Sequence, residues 1–318
     1  MHIQLGWWWG VTLIYQIPFK VHCPVGWVFA RNCPMYNHWA VRTSTPLEPF
    51  NEFKTCQWTW NRLTSLFPDM LGAMIMPNHI HLIVPVVPGV GQEHSKQVLH
   101  KLHGLTGALS KRTKIIHLWQ KIAPPHPIPD IFHLRRHVRY VALNPCRRSL
   151  CADPLEWQWS TYRDLFGASA FPILSERRLA QVVKDPRPKF TVRFHAYVSG
   201  DPSVKVQGTS SPKLLDLEYL SRKSLDDILD ASASALRLPP SDVKESGPLR
   251  DLFIHFAYRH GWKGQTARIA KICGVTPRSV QRILGKPTPI GISATTVCLS
   301  DPRFRWVRVV KNSVGRWE

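Results

Sequence analysis

Two histidines two residues apart, set in an apolar run, constrain this chain more than any other feature. The stretch from Met74 to Val84 reads MIMPNHIHLIV. Its apolar end predicts a buried strand. Successive strand side chains alternate between faces, so His79 and His81 share one face and Ile80 points the other way. Two imidazoles side by side are a ready pair of metal ligands. The plainer reading is two polar residues on the solvated face of an antiparallel strand.

A second pair lies further along. Residues 130–143 (DIFHLRRHVRYVAL) predict a helix with Asp130 as N-cap, ending near Asn144-Pro145. Tyr140 and Asn144 are four residues apart and so project from one helical face. If that face meets the histidine pair, two imidazoles, an amide and a phenol surround one point. A divalent ion there would keep open positions for a phosphate oxygen and would polarise and place it. The Tyr140 oxygen becomes the candidate nucleophile for a covalent intermediate. A phenol near pKa 10 needs cationic neighbours to act at neutral pH. Arg135, Arg136, Arg139, Arg147 and Arg148 supply them. The plain alternatives are a core aromatic for Tyr140 and a helix-ending residue before proline for Asn144.

Charge points the same way. The chain carries 42 Lys+Arg against 21 Asp+Glu, a net +21, and both halves are basic. A polyanionic partner, nucleic acid first, is the expectation. The seven cysteines show no CxxC pair, so neither a zinc site nor a disulfide framework is expected, and reduced thiols in a cytoplasm are the simple reading. Residues 1–19 lack charged residues but show neither a signal-peptide cleavage site nor an uninterrupted membrane-spanning length.

Along the chain, residues 25–31 predict a short strand and 32–49 a loop. Residues 50–67 predict a helix, and 93–114 a basic amphipathic helix broken near Gly104 and Gly107. Residues 124–129 predict a Pro-rich loop. Residues 155–166 (LEWQWSTYRDLF) predict a closing helix or turn packed on the sheet.

Taken together, MPNHIHLIV, then Tyr140 in RYVALNP, then WQWSTY at 157–162 resemble the REP-associated tyrosine transposases. These are domesticated relatives of the single-tyrosine HUH transposases of insertion sequences. The resemblance covers roughly residues 25–166. It implies an α+β fold, a ferredoxin-like antiparallel sheet with helices that carries the histidines. It implies Mg²⁺ or Mn²⁺, with His79, His81 and Asn144 as ligands and Tyr140 as nucleophile. The implied reaction cleaves and rejoins single-stranded DNA at the foot of hairpins through a 5′-phosphotyrosine, in a bacterial, nucleoid-associated setting. The alternative is a catalytically idle DNA-binding regulator on the same scaffold. A rolling-circle initiator would share the histidine motif, but no P-loop is present.

Residues 171–223 read as a linker with some local structure, and residues 224–286 as an all-α unit. Within it, 264–284 (GQTARIAKICGVTPRSVQRIL) fits a helix-turn-helix, with Gly274 at the turn, Thr276 as N-cap and Pro277 as first helical residue. Arg278, Ser279, Gln281 and Arg282 are then the candidate contacts to duplex DNA. The plain alternative is an αα-hairpin. The order SLDDIL…LRDLFIHFAYRH…TARIAKICGVTPRSVQRIL resembles the C-terminal DNA-binding domain of the bacterial chromosomal replication initiator. Residues 287–318 read as a basic tail with a possible strand at 306–310. Residues 1–170 would make up the transposase domain. No membrane partner is expected, and the chain would act as a monomer or homodimer.

Overall fold

The Val/Ile/Leu-rich run after Asn78 does form a strand, and the rest of the sheet assembles on it. In the computed structural model, residues 35–87, 89–208 and 223–305 are described, all within one compact unit. Strand β1 spans Tyr36–Arg42, β2 Gly72–Met76, β3 His79–Pro85 and β4 His126–Ile128. Helix α1 spans Phe53–Leu66, α2 Gly91–Thr113 and α3 Ile131–Arg147. The sheet order is β2-β3-β1-β4 and every pairing is antiparallel. The chain order is thus βαββαβ, the connectivity of a split βαβ unit, closed by α3. The fold is α+β.

Register places the site. Pro77-Asn78 closes a two-residue hairpin that sets Met76 opposite His79 and Met74 opposite His81. On the other side, Arg42 lies opposite His79 and Ala40 opposite His81. His38 is two residues before Ala40 and therefore faces the same way as both β3 histidines. Helix α3 covers that face through Asn144, which meets His81. Helix α2 lies on the other face, where Asn37 donates to Ser95, and α1 packs along α2.

The strand at Tyr36–Arg42 falls where a loop was expected, and the expected strand at 25–31 lies outside the described residues. The run Trp39-Ala40-Val41 explains the difference: aromatic and β-branched side chains fit a pleated surface, and Trp39 and Val41 are buried. The Pro-rich stretch at 124–129 contributes β4, a three-residue edge strand where proline is tolerated. Helix α2 runs unbroken through Gly104 and Gly107. Both glycines face open space, while Val98, Leu102, Leu105 and Leu109 form a buried stripe that outweighs their poor propensity. Helix α3 continues through Pro145 to Arg147 instead of stopping before the proline. Asp130 caps it by accepting from the His133 amide.

The W-x-W-S-x-Y segment seals the β2 edge. The Ile75 amide donates to the Trp159 carbonyl, the Trp157 indole to the Ile75 carbonyl, and the Ala73 amide to the Thr161 hydroxyl. A 3₁₀ turn at Thr161–Phe166 follows. Helices α4 (Glu176–Val182) and α5 (Phe190–Ser199) then lie within the stretch read as a linker. The described residues from 223 onward hold helices α6 (Leu225–Leu236), α7 (Pro248–Ala257), α8 (Thr266–Cys273), α9 (Pro277–Leu284) and α10 (Ile292–Ser300). The possible strand at 306–310 lies outside the described residues. Arg237, just past α6, donates to the Ser160 carbonyl and the Asp164 carboxylate and stacks on Trp60. Among the described residues, no helix is long and apolar enough to cross a membrane.

Candidate metal and nucleic-acid site

The covered face of β3 brings three ring systems and an amide to one point. His79 Nε2 is 3.0 Å from His81 Nε2, and the Asn144 amide nitrogen is 2.6 Å from the same His81 atom. His79, His81 and Asn144 are only 2%, 1% and 5% exposed. Tyr140, one turn before Asn144, is 41% exposed, with its ring centroid 5.9 Å from that of His81. The four residues expected to converge therefore do so.

Tautomers follow from the partners. His79 Nδ1 is 2.7 Å from the Asn78 side-chain oxygen, which can only accept. With the amide in this orientation the His79 proton sits on Nδ1, and Nε2 presents a lone pair to the centre. His81 Nδ1 is 2.9 Å from His38 Nε2. The tautomer that frees His81 Nε2 has Nδ1–H donating to His38, an outer partner that orients a ligating ring. The amide nitrogen and oxygen of Asn144 are exchangeable by a flip. One orientation donates to His81; the other turns the carbonyl oxygen to the centre.

Burial keeps all three rings neutral. His79 is held down to about 3 by removal from water and then by Arg42, Arg148 and His38. His38 falls to about 4, by burial and then by His137 and His126. His81 lies well below the ordinary imidazole value, by burial and then by the other two rings. Neutral imidazoles keep the lone pairs that a metal needs.

The donor set fits a divalent ion. Cis ligands at about 2.1 Å from an octahedral ion lie about 3.0 Å apart, the spacing of the two Nε2 atoms. Two imidazoles and an amide oxygen leave open positions on such an ion. Among the described residues no group of three or more His, Cys, Asp and Glu is placed to hold a metal. The third donor here is an amide, which lies outside that set of residue types.

The site opens into a cavity of about 670 Å³ lined by His38, His126, His133, Arg136, His137, Arg139, Tyr140, Arg147, Asp201 and Ser203. Of the five arginines singled out, Arg136, Arg139 and Arg147 line it. Arg147 stacks on the Tyr140 ring, 4.9 Å to the centroid, and donates to the Tyr140 carbonyl. Arg135 instead donates to the Val183 carbonyl and lies near Asp185, away from the cavity. Arg148 is the exposed C-cap of α3, and its charge still reaches His79.

His38, His137 and Asp201 are the site residues that the sequence did not mark. His38 stood in a stretch read as loop. Its signal was the alternation around Trp39 and Val41, which makes it a strand residue facing the histidine pair. Asp201 has no local signal at all.

The second candidate surface holds together locally. Gly274 takes a left-handed conformation (φ 65°) that ends α8, and Thr276 caps α9 by accepting from the Ser279 amide. Ile269, Ala270, Cys273, Val280 and Ile283 are buried, whereas Arg278, Gln281 and Arg282 are exposed. Ser279 is half-buried, its hydroxyl beside that of Thr276.

No family model matches the chain, and no curated protein matches it. One solved structure, described as "Structure of the REP associates tyrosine transposase bound to a REP hairpin", is similar over 46% of this chain and 88% of that chain, at 15% identity and a TM-score of 0.36. A likeness this loose aligns no side chain with another.

Proposed function

We propose that the protein is a single-stranded DNA endonuclease and strand transferase in which Tyr140 attacks a phosphodiester beside a divalent ion. The observation that carries this reading is the convergence of His79, His81 and Asn144 beside Tyr140, which is 41% exposed and lines a cationic cavity. His79, His81 and Asn144 would hold Mg²⁺ or Mn²⁺, which would polarise the scissile phosphate and fix its position. Tyr140 forms the new bond from its oxygen to phosphorus as the bond to the 3′ oxygen breaks. The products are a 5′-phosphotyrosine and a 3′-hydroxyl, which can later reverse the step on another strand. Arg136, Arg139 and Arg147 contact phosphates and favour the tyrosine oxygen as an anion. In the wider reading, residues 1–170 make up an HUH-type transposase domain and the substrates are hairpin-bearing single strands.

Residues 264–284 would add duplex DNA binding. The exposed Arg278, Gln281 and Arg282 on α9, with Ser279, are of the types that meet base edges and phosphates. The alternative, an idle DNA-binding regulator, keeps the basic cavity but needs no reactive tyrosine.

The test incubates purified protein with labelled single-stranded hairpins from its own genome, with and without Mn²⁺. A metal-dependent covalent adduct is expected in wild type and is lost in Tyr140→Phe with binding retained. An adduct that persists in Tyr140→Phe refutes the assignment. Metal-independent binding without cleavage favours the regulator.

A further inference from the structure

We infer that Asp201 is a positioning residue that fixes two arginines, Arg139 and Arg147, in the cavity that the reactive tyrosine also lines. The inference rests on the reading of Tyr140 given above. Asp201 is remote in sequence and only 8% exposed, and it is the only carboxylate among the described residues lining the cavity. One carboxylate oxygen accepts from the Ser203 amide at 3.0 Å and the Ser203 hydroxyl at 2.6 Å. The other accepts from Arg147 Nη2 at 3.2 Å and forms an ion pair with Arg139, Nε at 3.2 Å.

The second pair of contacts matters for Tyr140. Arg147 lies seven residues after Tyr140, near the end of α3, where a long side chain could swing into solvent. Asp201 holds one side of its guanidinium while the other side donates to the Tyr140 carbonyl, so the plane rests on the tyrosine ring. Arg139 is braced the same way, between Asp201 and the Tyr197 ring at 4.5 Å. Both braces come from α5 and the turn that follows it. Both arginines line the same cavity as Tyr140. Placement at this precision is worth large rate factors, because a displacement of about 1 Å can cost on the order of a hundredfold.

A brace and a mere packing contact predict different signs. Removing the one negative charge from a basic cavity strengthens general attraction for a polyanion. Freeing the arginines slows the reaction. Asp201→Asn is therefore expected to bind a labelled single-stranded hairpin pool as tightly as wild type, or a few-fold tighter at low salt. It is expected to form the Tyr140 adduct about 10- to 100-fold more slowly in single turnover. Arg139→Ala/Arg147→Ala/Asp201→Asn should be no slower than Arg139→Ala/Arg147→Ala, since Asp201 acts through those two arginines. Ser203→Ala loosens the carboxylate without removing its charge and should slow adduct formation in the same direction, less strongly. Rate and affinity falling together, or a further loss in the triple variant, overturn the inference.

One readout is independent of activity. In isotope-labelled protein the Arg147 Nη2 N–H signals should be protected from exchange and should lose that protection in Asp201→Asn. Unchanged protection overturns the brace whatever the activity. Wild-type protein that forms no adduct with Mn²⁺ refutes the tyrosine chemistry, and with it the positioning role, even where the arginine signal shows the brace itself intact.

Discussion

Burying neutral imidazoles makes this fold acid-labile in a way that named rings can account for. His79 and His38 are held to about 3 and about 4, and His81 also lies far below the ordinary value. In the unfolded chain all three return to about 6.5. Protons then bind the unfolded state preferentially. The stability these rings contribute is complete above pH 6.5 and is lost as pH falls from there toward 4. His79 costs about 1 kcal/mol between pH 6.5 and 5.5 and about 1.3 kcal/mol over the next unit, His38 costs about 1 kcal/mol over the first of these, and His81 acts in the same direction. Other groups also titrate: Asp153, pushed up to about 6 by burial, works in the opposite direction, since its folded form takes up a proton that the unfolded form does not. The two β3 rings are isolated by comparing wild type with the His79→Gln/His81→Gln variant. Urea unfolding followed by tryptophan fluorescence at pH 7.5, 6.5, 5.5 and 4.5, without metal, gives the difference directly. Wild type should lose at least about 1 kcal/mol more than the variant between pH 6.5 and 5.5, the His79 share alone, with unchanged m-values. Parallel losses in the two proteins would show that these rings are not held neutral and would refute the electrostatic account of the site.

Other outcomes follow from the same contacts. Saturating Mn²⁺ at about a hundred times its dissociation constant should stabilise wild type by about 2.7 kcal/mol, read as a rise in melting temperature; in Asn144→Ala or His81→Ala the rise should shrink or vanish, and an undiminished rise would place the metal elsewhere. Tyr162→Phe removes a buried hydroxyl 2.8 Å from His195 Nδ1, which should cost about 1–3 kcal/mol in urea unfolding without altering hairpin affinity. Gly274→Ala places a β-carbon at φ 65° and should cost about 1 kcal/mol, with no change at the histidine site. Ile80→Ala, at a buried position between the two histidines, should cost about 2–5 kcal/mol.

Much of the site was legible because it rests on short-range periodicity. A spacing of two in a strand and of four in a helix places His79 with His81 and Tyr140 with Asn144, and both periods survive folding. What the sequence did not carry was the partner of each feature. His38 reaches the site only because β1 pairs with β3 in a register that sets Ala40 opposite His81. Proline and asparagine nearby made that stretch read as loop. Gly104 and Gly107 read as a break because propensity is local, whereas the buried leucine stripe of α2 is set by what it packs against. Helices α4 and α5 were hidden in a polar, proline-rich stretch with weak periodicity. Their anchoring is tertiary, as where Arg135 donates to the Val183 carbonyl.

The distribution of charge around Tyr140 explains why the cavity depends on chain beyond α3. A helix carrying Arg135, Arg136, Arg139, Arg147 and Arg148 repels itself, and bare arginines spread into solvent where they position nothing. Two carboxylates from later elements divide that set. Asp185, held to very low pKa by Arg187 and Arg193, lies beside Arg135 on the side away from the cavity. Asp201 takes Arg139 and Arg147 on the cavity side. Arg136 and Arg148 pair with neither, and Arg136 stacks on the exposed Phe132 at the rim. The helix therefore presents a small, oriented group of cations at the tyrosine instead of a diffuse basic face. A truncation after Phe166 would keep the histidines, the amide and the phenol but release the three arginine–carboxylate pairs. Such a fragment should bind single strands with a steep salt dependence while reacting slowly. Reaction at the full-length rate by that fragment would show that the arginine arrangement is incidental to the chemistry.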